Sequence, residues 1–249
     1  MRQARKHRLF GRWFAAQVRK RLRQQFEGVH VRGLSAFVEA ASQGPLVVVA
    51  NHVAYWDSLL AIALVTGELD LDGYALMEGA SLDRHPYLGR VGGFGVERDK
   101  PGDGEAVVAY GASRLDRPGR VVWVYPEGRE QPAGRRPLVF KRGAASMVLA
   151  AEDARWVPVA VQYVYGQAER ASVYLSFGAP QSVDRMGEGA QTVALRQAAA
   201  VTTLLTELDR VVETRVDTGA LPDDFRTVLH GRRDRVGAAL AALLARLTR

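Results

Sequence analysis

An α/β fold built on a largely parallel sheet flanked by helices is what this chain predicts, and three observations carry the prediction. Short apolar runs of strand length alternate with helical patterns, glycine and proline fall between them, and the pattern turns helical after residue 189. At 249 residues with 47% hydrophobic residues, the chain is long enough to bury a sizeable core.

Residues 1–26 hold Arg2, Arg5, Lys6, Arg8, Arg12, Arg19, Lys20, Arg21 and Arg23 and no acid, and they supply much of the net charge of +7. Leu9, Phe10, Trp13, Phe14, Val18, Leu22 and Phe26 recur at helical spacing within them, which predicts a basic amphipathic helix over 1–27. Such a helix suits the interface of an anionic membrane, with rings below the headgroups and cations among phosphates. Packing of the stripe on the domain and nucleic-acid binding by the basic face stay open. No helix-turn-helix, aromatic RNA-binding motif or zinc knuckle supports the last, so no nucleic-acid partner is expected.

A short segment from Gly28 to Gly44 leads to the first strand, Leu46 to Ala50. Further strands are expected at 73–77, 94–96, 120–125, 156–163 and 171–177, with helices near 58–66, 104–116 and 142–152 and an antiparallel pair closing the sheet. Gly44-Pro45, Pro101-Gly102, Pro118-Gly119 and Gly178-Ala179-Pro180 punctuate them. The α/β domain is therefore expected to span 28–185. Residues 186–249 are expected to be helical throughout and to cover the core, with a break at Gly219 to Pro222 and a last helix near the end.

The absence of cysteine excludes disulfides and thiolate chemistry and fits a reducing compartment. No apolar run reaches the roughly 20 residues that cross a bilayer, and the basic start is not followed by a signal-peptide pattern. The expected location is the cytoplasmic side of the membrane, peripherally attached.

The most informative stretch is Asn51-His52-Val53-Ala54-Tyr55-Trp56-Asp57, an H-x4-D pattern at a strand-to-helix junction. The carboxyl ends of strands are where open α/β sheets keep their chemistry. A neutral imidazole takes a proton near pH 7, and a carboxylate on its other nitrogen fixes the tautomer. On a continuous helix the two side chains would stand roughly 140° apart, so they meet only if the chain turns between them. The competing reading makes Asp57 an N-cap and His52 an ordinary loop residue.

Three more segments stand out. Gly92-Gly93-Phe94-Gly95-Val96-Glu97-Arg98 sets an arginine after a short strand, and its planar fork suits phosphate or carboxylate. Val121 to Tyr125 is a strand that ends in Pro126-Glu127-Gly128-Arg129, which delivers a glutamate at the carboxyl edge. Phe140-Lys141-Arg142-Gly143 opens a helix with two cations that face either an anionic ligand or solvent.

With Trp156-Val157-Pro158-Val159, these segments resemble, in order, the four sequence blocks of the glycerolipid acyltransferases, the family of 1-acyl-glycerol-3-phosphate acyltransferase. The likeness covers roughly residues 45–180. It implies transfer of a fatty acyl group from a thioester on coenzyme A or acyl carrier protein to a hydroxyl of a lysolipid, with no metal or tightly bound cofactor. It further implies that His52 is the general base and Asp57 its partner. Arg98 would hold an acceptor phosphate, and Asn51, Glu127, Gly128, Arg129 and Lys141 would line the acceptor site. The family's third block continues after Glu-Gly with threonine or a similar residue and then arginine, whereas this chain reads Arg129-Glu130. A carboxylate in the pocket would repel an acceptor phosphate, which leaves another membrane lipid or a glycolipid as an alternative acceptor. A non-catalytic lipid-binding protein of the same fold is the remaining alternative.

Overall fold

The computed structural model describes residues 1–97, 100–166, 168–218 and 220–232. Helix α1 (Arg8–Gln25) leads to strand β1 (Gly28–Arg32), helix α2 (Leu34–Gln43) and strand β2 (Leu46–Ala50). Helix α3 (Trp56–Ile62) continues directly into a π-helical turn, Ala63–Glu68, before strand β3 (Asp72–Glu78). Then come α4 (Gly79–Arg84), α5 (Tyr87–Arg90), β4 (Gly93–Val96), α6 (Asp103–Ser113) and β5 (Arg120–Val124). The chain proceeds through α7 (Gly143–Ala150), β6 (Arg155–Val164), β7 (Ser172–Phe177), α8 (Ala190–Thr218) and β8 (Arg226–His230).

All eight strands join one sheet in the order β4-β3-β5-β2-β6-β7-β1-β8. The first five in that order are mutually parallel, as expected, and the anticipated antiparallel pair is β6 with β7. Central β2 is buried along its whole length. Its side chains alternate between two cores: Leu46, Val48 and Ala50 pack with α1, α2 and α3, while Val47 and Val49 pack with α6, α7 and α8. A strand buried on both faces reads as an unbroken Val/Leu run, and that is how β2 reads.

Two elements differ from the sequence reading. Residues 28–44 form β1 and α2, with β1 beside β7, so the sheet extends past its antiparallel pair. Gly33 makes this connection with φ of 74°, and a Cβ there would stand 2.2 Å from the Phe177 carbonyl oxygen. The region after α8 is not purely helical: Arg226–His230 pairs antiparallel with β1 and closes the sheet edge. Its five-residue, partly exposed stretch carries too little apolar alternation to announce a strand, and pairing with β1 overrides that weak local signal. The last helix expected near the C-terminus lies outside the described residues.

Helix α1 splits its apolar residues between two faces. Ala15, Val18, Leu22 and the following Phe26 are buried against α3 and the π-helical turn, while Leu9 and Trp13 are 73% and 56% exposed. No helix among the described residues is long and apolar enough to cross a membrane.

Candidate active site

The turn between β2 and α3 brings His52 and Asp57 together. Asp57 Oδ2 accepts from His52 Nδ1 at 2.8 Å, from the Val53 amide at 2.7 Å and from the Ala54 amide at 3.0 Å. Asp57 is therefore no ordinary N-cap: Tyr55 holds that position, and the carboxylate reaches back to amides that precede the helix. Three donors on one oxygen of a carboxylate that is 1% exposed fix it rigidly in place.

Its other oxygen, Oδ1, accepts from the Tyr163 hydroxyl at 2.6 Å. Tyr163 stands near the end of β6, and burial, followed by the neighbouring Asp57 charge, pushes its phenol far above the usual range. It stays a neutral donor at any working pH. Phe26 packs on Tyr163 at 5.6 Å and edge-on against Trp56 at 5.4 Å, so the last buried side chain after α1 props the far side of this network.

Asn51 is 1% exposed and its amide is fully engaged with β6: Nδ2 donates to the Val161 carbonyl at 2.9 Å and Oδ1 accepts from the Val161 amide at 2.8 Å. This two-bond clamp continues the β2–β6 pairing one residue past the strand. It sets the direction in which His52 leaves the sheet.

Glu127, 8% exposed, accepts from the His52 amide at 2.8 Å through Oε2. Burial raises its carboxyl above the ordinary value, against the His52 amide bond and the Arg135 charge that favour ionisation. Tyr125, just before the Pro-Glu-Gly turn, stacks on the His52 ring at 4.5 Å and 23°. The His52 carbonyl accepts from the Gln131 amide at 2.8 Å. His52 is thus held at its ring, its amide and its carbonyl, while 18% of its side chain remains accessible.

Gly128 has φ of 74°, and the Lys141 ammonium stands 3.0 Å from where a Cβ would be. Glycine is needed here twice over, for the left-handed turn and for the approach of Lys141. The Lys141 amide also donates to the Pro126 carbonyl at 2.9 Å, which ties the third segment to the start of α7. Arg129 and Glu130 are exposed. The Glu130 charge is nonetheless felt at Tyr163, and that of Arg135 at Glu127. Arg98 lies outside the described residues.

An acyltransferase family model matches residues 28–162, more than half of the chain. The chain belongs to the acyltransferase family. A search of curated proteins gives no match to it. The matched region of this acyltransferase runs from β1 into β6 and so contains the His52–Asp57 turn, the Pro126-Glu127-Gly128 turn and most of the strand that carries Tyr163.

Tyr163, Tyr125, Phe26 and Arg135 went unrecognised in the sequence. Tyr163 offered no signal of its own: only the parallel register of β6 with β2, which pairs Val159 with Ala50, carries a phenol four residues further on over the β2–α3 turn. Arg135 offered none, because the long loop over 125–142 hides which of its cations returns to the site.

Proposed function

We propose that this acyltransferase moves a fatty acyl group from an acyl-thioester, on coenzyme A or acyl carrier protein, to a hydroxyl of a lysophospholipid such as 1-acyl-glycerol-3-phosphate. The observation that carries the reading is the buried Asp57 carboxylate bonded to His52 Nδ1. An ionised carboxylate only accepts, so Nδ1 carries the proton and Nε2 keeps its lone pair for a substrate hydroxyl.

In this mechanism His52 Nε2 removes the acceptor hydroxyl proton as the oxygen attacks the thioester carbonyl. The carbon–oxygen bond forms, the carbon–sulfur bond breaks, and the thiolate leaves with the proton returned by His52. Asp57 steadies the imidazolium, and Tyr163 and the two loop amides share the negative charge of Asp57. Direct attack needs no acyl-enzyme. Asn51, Glu127 and Gly128 shape the turn around the base, and Lys141, Arg98 and Arg129 supply cations for an anionic headgroup.

A second reading changes the acceptor to an uncharged membrane alcohol or glycolipid. It is favoured by one observation, the carboxylate of Glu130 directly after Arg129 in the third segment. In either case the enzyme works at an anionic membrane surface on the cytoplasmic side, docked by the exposed Leu9 and Trp13 and the cations of α1. Incubating the pure protein with labelled acyl-coenzyme A and a panel of charged and uncharged lysolipids, then identifying products by mass spectrometry, tests both. An acylated lysophosphatidic acid supports the first reading, acylation of uncharged lipids alone supports the second, and no acylated lipid contradicts both.

A further inference from the structure

A groove of about 540 Å³ lies between the C-terminal end of α1 and the end of β8. Among the described residues, Lys20, Arg23, His230 and Arg232 line it together with Gln24, Val228 and Gly231, and no carboxylate does. Its volume is that of a small-molecule site. Its charge is that of an anion site.

The walls are fixed through backbone, which leaves the cationic side chains available. The Arg232 amide donates to the Arg23 carbonyl at 2.7 Å, and the Gly231 amide to the Glu27 carbonyl at 2.8 Å. The Arg170 guanidinium donates to the Arg23 and Gln24 carbonyls, both at 3.3 Å, and to the Arg232 carbonyl at 2.8 Å. The Arg23 and Gln24 carbonyls are the negative end of the α1 dipole, which would otherwise repel an anion. Arg170 also pairs with Glu27 at 3.1 Å, so that carboxylate is already neutralised. Among the described residues Lys20, Arg23 and Arg232 form no ion pair.

The groove faces the same edge of the sheet as His52. Val164 at the end of β6 pairs with Ser172, Ser172 with Gly28, and Gly28 with His230. The carboxyl ends of β2, β6 and β8 therefore share one edge. Four strand spacings separate β2 from β8, roughly 19 Å. Phe26, Trp56 and Tyr163 fill the space between. A ligand bound by its anionic end in the groove thus needs an extended arm to bring its reacting atom to His52.

We propose that this groove holds the phosphates of the 3′-phosphorylated adenosine diphosphate end of coenzyme A, with the pantetheine arm running past Phe26 and Trp56 to present the thioester at His52. The assignment rests on the acyl-transfer reading and deepens it by locating the donor. A bilayer would meet a convex apolar surface such as the one that Leu9 and Trp13 offer at the other end of α1. A concave groove whose charged lining, among the described residues, is all basic suits a compact polyphosphate instead.

The test is calorimetric titration of the full chain with coenzyme A and with dephospho-coenzyme A, with anionic vesicle binding measured in parallel. Arg23→Gln and Arg232→Gln alter exposed side chains and keep the backbone bonds. Each is expected to weaken coenzyme A binding by roughly 10- to 100-fold, the loss of a charge-assisted contact. Dephospho-coenzyme A is expected to bind more weakly to the wild type and to discriminate less among the variants. Arg117→Gln, at the opposite end of the sheet, is expected to change nothing. Unchanged coenzyme A affinity in both groove variants overturns the proposal, as does a wild type that does not bind coenzyme A. Loss of vesicle binding with coenzyme A affinity intact also overturns it and makes the groove a headgroup site. Failure of acyl transfer to every lysolipid, with charge-dependent coenzyme A binding retained, would instead sink the proposed acceptor reaction and leave the groove standing.

Discussion

Tyr163 donates its hydroxyl to the Asp57 oxygen that His52 does not use, at 2.6 Å, and so joins strand β6 to the turn after β2. The two oxygens of one carboxylate divide the work. Oδ2 collects the imidazole and two amides, and Oδ1 is anchored from across the sheet by a phenol that burial keeps protonated.

Tyr163→Phe removes this anchor and keeps the ring that Phe26 packs against. Losing a hydrogen bond to a buried charge is expected to cost about 1.5–3 kcal/mol, and part of that loss falls on the positioning of His52. The expected outcome in steady-state kinetics is a roughly 3- to 30-fold fall in kcat with little change in KM for the donor. An unchanged kcat would show that the loop amides hold Asp57 unaided.

The sheet and the site were legible in the sequence to different degrees. Strands β2, β5 and β6 are buried on both faces, so their apolar runs announce them, and Pro126 and Gly128 mark where β5 must stop. His52 and Asp57 were legible as a pair, but whether they touch depends on a turn that no spacing rule fixes. Strands β1 and β8 were not legible: polar residues interrupt both, and their stability comes from partners far away in the chain. Tyr163 escaped for the same reason, since its role exists only once β6 lies beside β2.

His30 gives the fold a pH dependence of its own. It lies in β1, 7% exposed, with Nδ1 against the Thr227 hydroxyl at 2.9 Å. Burial, then the nearby Arg215 and His230 charges, lowers its pKa from 6.5 to about 4. The folded protein thus prefers the neutral ring. Its contribution to stability is complete above about pH 6.5 and is lost as pH falls towards 4, because the unfolded chain binds the proton first. Urea unfolding at pH 7 and pH 5 should show a loss of roughly 1–2 kcal/mol in the wild type beyond that in His30→Gln. Equal losses in both proteins would contradict it.

The proposed docking at a membrane uses the outer face of α1, whose inner face belongs to the core. Deleting residues 1–26 would strip Val18, Leu22 and Phe26 from the interior, so truncation tests folding and not docking. Leu9→Ser with Trp13→Ser changes only exposed side chains. Sedimentation with anionic vesicles should fall at least ten-fold, since burying either side chain in the interface contributes about 1.5–3 kcal/mol. Undiminished sedimentation would place the docking surface elsewhere.

The central claim is that His52 takes the acceptor proton, and the rate of acyl transfer by His52→Ala tests it most directly. With labelled acyl-coenzyme A and the wild type's preferred lysolipid, single-turnover transfer is expected to slow by roughly 10²- to 10⁴-fold, with urea stability near that of the wild type. A His52→Ala protein that transfers the acyl group at close to the wild-type rate would contradict the account.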